Sequence, residues 1–321
     1  MATGQVTASN VRGSGRDVPL RFGWRMPMWD PAGAPATSWL PAVRANLSQL
    51  RGKYDSVWLS DHFVPGTPWM PPEPDTLECW TATVHFSAIF PDYQYGQIVM
   101  GNNYRHPPLL AKAASTMQVL TGGKLILGIG AGWMESEYRM YGYPYPPPKQ
   151  RIEEPDDAVQ LIRALWSDSP ASFQGKHFAI DAAHANPRPA EPPIVMIGAS
   201  GEQLALRVVA KHADWWNATT PTPADLAAKR AVLAEHCAKV GRDVDDILVN
   251  WQCQCVAIAD TEAEAQRLAD ASPLHQHGGR GSVIGTPGQV REKLQAMVDV
   301  GVRDFILRFA REIAPGIRAG H

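Results

Sequence analysis

The chain has 321 residues, of which 45% are hydrophobic and 19% charged, a balance that suits a sizeable core and excludes a disordered chain. Its 30 Lys and Arg against 32 Asp and Glu leave a formal charge of −2 with no basic run, which argues against a nucleic-acid partner. No apolar segment approaches bilayer length, so no membrane span is expected.

In chain order, residues 1–19 are polar, lack the apolar core of a signal peptide and read as a flexible tail. Residues 20–312 read as one domain and 313–321 as a C-terminal tail. The first strand is expected over 20–26 and a helix over 38–51. A second strand over 56–61 ends at His62, and a proline-rich loop with Trp69 follows. A helix over 77–90 and a strand over 96–101 come next. Pro107 opens a helix that stops at Gly122 and Gly123, using proline in the first turn and glycine past the end.

Lys124 to Trp133 is the most informative stretch: an aliphatic run, Leu125 to Leu127, meets Gly128, Gly130 and Gly132 just before Trp133. The aliphatic run fits a strand buried on both faces. Its glycines leave one face bare, either for a flat ligand against the backbone or for tight packing of the chain itself. The spacing is not that of a dinucleotide fingerprint, which needs Gly-x-Gly-x-x-Gly opening a helix.

Further on, a helix is expected over 153–166, a polar excursion with a hairpin near Gly175 over 168–192, and a strand over 193–199. A helix follows Ser200 and Gly201. A strand over 214–219, a helix over 223–240 and a strand over 247–259 continue the alternation. A helix over 261–271, a Gly- and His-containing loop over 272–285 that is a candidate lid, a helix over 287–300 and a strand over 304–309 complete it.

Alternating strand and helix with no strand-only block predicts an α/β fold, a single (β/α)8 TIM barrel with insertions. A doubly wound open sheet is the alternative. The four cysteines, Cys79, Cys237, Cys253 and Cys255, form no disulfide framework and agree with a reducing cytoplasm. Cys253 and Cys255 alternate along a predicted strand, as core residues do.

Barrel chemistry sits at the carboxyl ends of the strands. That rule selects Asp61 and His62, the segment from Met100 to Asn103, Gly130 and Gly132 with Trp133, Ser200 and Gly201, and Asn217 with Thr219. His62 is the candidate for proton chemistry because imidazole titrates near neutrality. Asp61 precedes it, and adjacent strand residues face opposite ways, so the two need not form a dyad. Ser200 and Gly201 can seat an anion on free backbone N–H groups, or Ser200 can simply cap the helix. Trp24, Trp69, Trp133 and Tyr138 can wall an aromatic pocket, although Trp24 suits the core equally well. A metal-dependent barrel hydrolase needs several converging ligands, and His275 and His277 are the one close histidine pair, placed in a loop.

These blocks together resemble the bacterial luciferase-like superfamily, in particular its deazaflavin-dependent branch. The likeness runs from Phe22 to Phe309. It rests on Val57 to Phe63, on Tyr104 to Pro107 with Leu110 to Lys112, on Gly122 to Trp133, and on Glu137 and Tyr138 with Tyr141 and Gly142. Pro193 to Glu202, Ala213 and Asp214 with Trp216 and Asn217, and Gly285 to Pro287 complete it. The resemblance implies a cytoplasmic oxidoreductase that moves a hydride between coenzyme F-420 and a small organic substrate. It implies a non-proline cis peptide at Ile98–Val99 behind the cofactor ring, Asp61 and His62 beside that ring, and Ser200 and Gly201 at its phosphate. A homodimer and a reductase that supplies reduced cofactor are also implied. FMN is the competing cofactor, for a two-component monooxygenase, but members of that kind often carry Asn where this chain has Gly128. Sugar-phosphate dehydrogenases of the branch place a Glu after the glycine strand. Trp133 stands there instead, so an aromatic or hydrophobic substrate is expected.

Overall fold

The computed structural model of the protein describes residues 18–67, 69–219, 222–278 and 281–311. The first half of the chain forms β1 (Arg21–Arg25), α1 (Ala36–Leu50), β2 (Ser56–Leu59), α2 (Cys79–Ile89), β3 (Gln94–Gln97), β4 (Met100–Gly101), α3 (Pro107–Leu120) and β5 (Leu125–Gly130). There follow α4 (Glu135–Met140), α5 (Pro148–Ser167), β6 (Ala171–Gln174), β7 (Ala179–Ala183), β8 (Ile194–Gly198), α6 (Ala205–His212), β9 (Trp215–Ala218) and α7 (Pro223–Lys239). The last part holds β10 (Leu248–Gln252), β11 (Val256–Ile258), α8 (Glu262–Asp270), α9 (Pro273–Gly278), β12 (Val283–Gly285), α10 (Pro287–Asp299) and β13 (Val302–Leu307).

Strands β3, β2, β1, β13, β10, β9, β8 and β5 pair in that order, and β5 pairs back to β3 through Tyr95–Leu125 and Gly96–Ile126. Every pairing is parallel, so the sheet closes into the eight-stranded barrel expected from the alternation. The expected strand over 96–101 is two pieces: a cis peptide joins Ile98 to Val99, and β4 resumes beyond it alongside β5. The hairpin near Gly175 is β6–β7.

Alternation along each strand sorts side chains into two compartments. Leu125, Leu127 and Ile129 face outward and join Trp24, Trp39, Val43, Leu47 and Phe86 in the layer between barrel and helices. Trp58, Ile126, Met196, Trp215, Leu248 and Ile306 fill the interior, with the Trp58 and Trp215 rings 6.4 Å apart. Val18, within the segment read as a tail, is buried against this interior cluster; residues 1–17 and 312–321 lie outside the described residues.

A polar belt crosses the same interior. Asn217 donates to Asn250 at 2.6 Å, Asn250 donates to Asp304, and Arg21 pairs with Asp304 at 3.2 Å while also donating to Gln94. These buried groups satisfy one another, as buried polar atoms must.

Two expectations for the C-terminal third change. The strand over 247–259 ends at Gln252, and β11 pairs instead with β12. Cys253 and Cys255 therefore sit between strands, buried as thiols outside any disulfide, rather than alternating along one. The loop over 272–285 contains α9 and β12. Among the described residues no helix is long and apolar enough to cross a membrane.

Candidate active site

The carboxyl end of β2 delivers Asp61 and His62, and the two side chains go separate ways. Asp61 accepts two hydrogen bonds from Arg105, at 2.8 and 3.0 Å, and one from the Gly101 amide at 2.9 Å. Arg105 continues to Glu78, whose carboxylate caps α2 by accepting from Trp80 and Thr81. Burial pushes the Asp61 carboxyl up, and the Arg105 guanidinium opposes that rise. Asp61 thus ties β2 to β4.

His62 turns toward α4. Its Nδ1 lies 3.0 Å from the Glu137 carboxylate, and the ring is 12% exposed. Glu137 also accepts from the Phe63 and Val64 amides and from Tyr104 Oη at 2.6 Å. Burial would raise this carboxyl, but the bonds from His62, Tyr104 and Phe63 prevail and hold it below the usual range. Trp29 and Trp133 stand edge-on to the imidazole, with centroids 6.3 and 5.8 Å away. Trp133 is 55% exposed, a large apolar face open to solvent beside the histidine.

The bare face of the glycine strand is filled by the chain itself. A Cβ on Gly128 would collide with the Gln97 carbonyl oxygen, and one on Gly130 would stand 2.6 Å from Val99. Gly132, at φ +68, backs onto the Tyr138 hydroxyl. Of the two readings open for this stretch, tight packing describes the space on the Cβ side of all three glycines. What it frames is the bulge at Ile98–Val99, with Val99 lodged against Gly130 and Gly198.

Among the described residues several polar atoms near the strand ends are buried without a hydrogen-bond partner: Asn102 Nδ2, Asn103 Oδ1 and Tyr138 Oη. Such atoms are rare and call for a ligand or water to satisfy them. Met100 is fully buried on β4.

Other residues selected from the sequence occupy different places. Trp24 is buried in the outer core layer. Asn217 belongs to the interior belt. Trp69 stacks on His277 of α9, centroids 4.5 Å apart. Ser200 does not cap α6, whose N-cap is Leu204. Ser200, Gly201 and Thr219 are exposed. Lys229 reaches the Ser200 carbonyl at 2.8 Å. Among the described residues the backbone N–H groups of 200–203 donate to no backbone carbonyl, which leaves them available to an anion.

Glu137, Tyr104, Arg105 and Trp29 were not selected. Glu137 sits on a helix of six residues that periodicity does not reveal, and it meets His62 across 75 positions of chain. The one signal was its place in the Glu137–Tyr138 block. Among the described residues no group of three or more His, Cys, Asp or Glu could hold a metal ion.

Comparison with known proteins agrees with this fold. A family model described as luciferase-like monooxygenase matches residues 51–281. An F420-dependent glucose-6-phosphate dehydrogenase of Nakamurella multipartita is 26% identical over 343 residues, covering 94% of this chain and 97% of its own. Among solved structures, an F420-dependent secondary alcohol dehydrogenase in complex with an F420-acetone adduct superposes with a TM-score of 0.75 at 16% identity, covering 94% of this chain and 99% of that one. A long-chain alkane monooxygenase also superposes at 0.75, with 15% identity and coverage of 93% and 88%. At these identities the superpositions speak for a shared fold.

Proposed function

The chain belongs to the luciferase-like monooxygenase family, and from that premise we propose that it is an oxidoreductase using coenzyme F-420 for hydride transfer to or from an organic substrate. The observation that carries this reading is His62 at a barrel strand end, anchored through Nδ1 and flanked by the open face of Trp133. A bound deazaflavin supplies a two-electron hydride donor or acceptor with carbon at the ring position where a flavin activates oxygen.

The residues suit such a group. Its ring edge carries both hydrogen-bond donors and acceptors, and the orphaned Asn102 Nδ2 and Asn103 Oδ1 offer the complementary pair. Ile98 and Val99 would back the ring, with Met100 following them in the chain, Gly130 packed on Val99 and Gly132 against Tyr138. The 200–203 backbone with Lys229, and Thr219 beside it, would take the phosphate. Asp61 supports the site indirectly, by holding Arg105 and the Gly101 amide.

In the reaction His62 handles the proton that accompanies hydride movement, and the protein's larger task is to align donor and acceptor and exclude water. The half-exposed Trp133 ring beside His62 favours an aromatic or hydrophobic substrate, offering ring area at small entropic cost, and the partly buried Trp69, stacked on His277, is a second candidate contact.

Titration of the purified protein with F-420 and with FMN tests the cofactor. Tight F-420 binding is expected; FMN binding without F-420 binding would overturn the reading in favour of a monooxygenase. His62→Ala should lower kcat by roughly 10²–10⁴-fold while cofactor affinity changes far less. Unchanged turnover would return His62 to a packing role.

A further inference from the structure

Glu137 is fully buried, and its two oxygens serve different neighbours. Oε1 accepts from the backbone amides of Phe63 and Val64, which have fixed donor character. Oε2 accepts from Tyr104 Oη and faces His62 Nδ1. Burial, reinforced by the bond to Glu137, raises the Tyr104 phenol, so it stays protonated and a donor. An ionised carboxylate only accepts hydrogen bonds, so the proton between Glu137 and His62 must belong to Nδ1. A neutral imidazole carries one N–H, which leaves the lone pair on Nε2. Among the described residues Nε2 has no hydrogen-bond partner, and Gly66 lies against that edge of the ring with no side chain to obstruct it. The other titratable groups close by are Asp61, committed to Arg105 and through it to Glu78, and Tyr138 beside Glu137.

We propose that Glu137 is the positioning residue that locks His62 in the Nδ1–H tautomer and so keeps Nε2 as the proton-accepting atom of the site. Its catalytic consequence rests on the reading of His62 as the proton-handling group; the tautomer itself does not. A carboxylate that merely pinned residues 62–64 would need only its bonds to the two amides, and the two roles separate in Glu137→Gln. The glutamine oxygen must stay with the Phe63 and Val64 amides, because those donors cannot reverse. Its NH2 then falls where Oε2 stood and donates to Nδ1, driving the His62 proton to Nε2. The loop keeps its anchor while the imidazole is inverted.

The test is long-range ¹H–¹⁵N NMR of the full protein labelled at histidine, recorded at alkaline pH where imidazole is neutral. Wild type and Glu137→Asp should give a protonated Nδ1 and an unprotonated Nε2 for His62, and Glu137→Gln the reverse. In parallel, Glu137→Gln should lose roughly 100-fold or more in kcat with KM and F-420 affinity within about threefold, and Glu137→Asp should recover part of that loss. A protonated Nε2 in the wild type overturns the assignment whether or not any variant folds. So does a Glu137→Gln protein that keeps the wild-type tautomer. An inverted tautomer with wild-type turnover in both Glu137→Gln and His62→Ala overturns instead the catalytic reading of His62.

Discussion

Asp304 is an acid enclosed by the barrel, with Arg21 on one side and Asn250 on the other. Burial pushes its carboxyl up to about 6 from an ordinary 3.8, against the opposing pull of Arg21 and the bond from Asn250. With the folded value above the unfolded one, the native state binds the extra proton, so this residue's stabilisation is complete below about pH 4 and is lost as pH rises to about 6. The swing is on the order of 3 kcal/mol for a shift of this size. Asp304→Asn stands in for the protonated acid and should be no less stable than the wild type above pH 6. Its unfolding free energy should also lack that decline between pH 4 and 6, a difference that denaturant titrations of both proteins at several pH values will detect. The contrast between Asp61 and Glu137 is instructive at this scale. Both are buried acids of the site, and position at a strand end made Asp61 readable from the chain. The pairing of Glu137 with His62 depends on where a remote short helix lands, which no local pattern encodes.

At the scale of elements, helices with chemical punctuation were the most readable. Pro107 opens α3 and Gly122 and Gly123 follow its end, as the composition of that segment predicts. Helix α10 has the best-formed start: Thr286 accepts from the Gln289 amide while the Gln289 side chain returns to the Thr286 amide. Thr286→Ala should therefore cost about 1 kcal/mol of stability, read as a lower urea midpoint with an unchanged slope. Elements specified by partners were unreadable. The parallel β11–β12 pair joins two short segments that carry little periodicity of their own, and each was absorbed into a neighbouring strand or loop. The break between β3 and β4 was foreseen through family resemblance, since nothing in Gln97 to Met100 marks it locally.

For the whole molecule, closure of the barrel followed from counting βα units, because a buried parallel strand advertises itself as a short aliphatic run. Assembly is a separate matter. Helices α2 and α3 present Val84, Ile89, Leu109, Val119 and Leu120 to solvent, the last 79% exposed, and Val84 and Leu120 line an open cavity with Trp80 and Met117. We propose that this face meets a second copy of the chain. Light scattering should give twice the chain mass, and Leu120→Glu should shift it toward one chain; a monomeric wild type would remove the proposal. The packed glycine strand bears on how such a molecule can diversify. Since Gln97, Val99 and Tyr138 already occupy the places that side chains at 128, 130 and 132 would need, mutagenesis libraries spent on that strand return misfolded protein. Variation in what the enzyme accepts has to be sought at Trp133, whose half-exposed ring stands beside His62 and can change shape without opening the core.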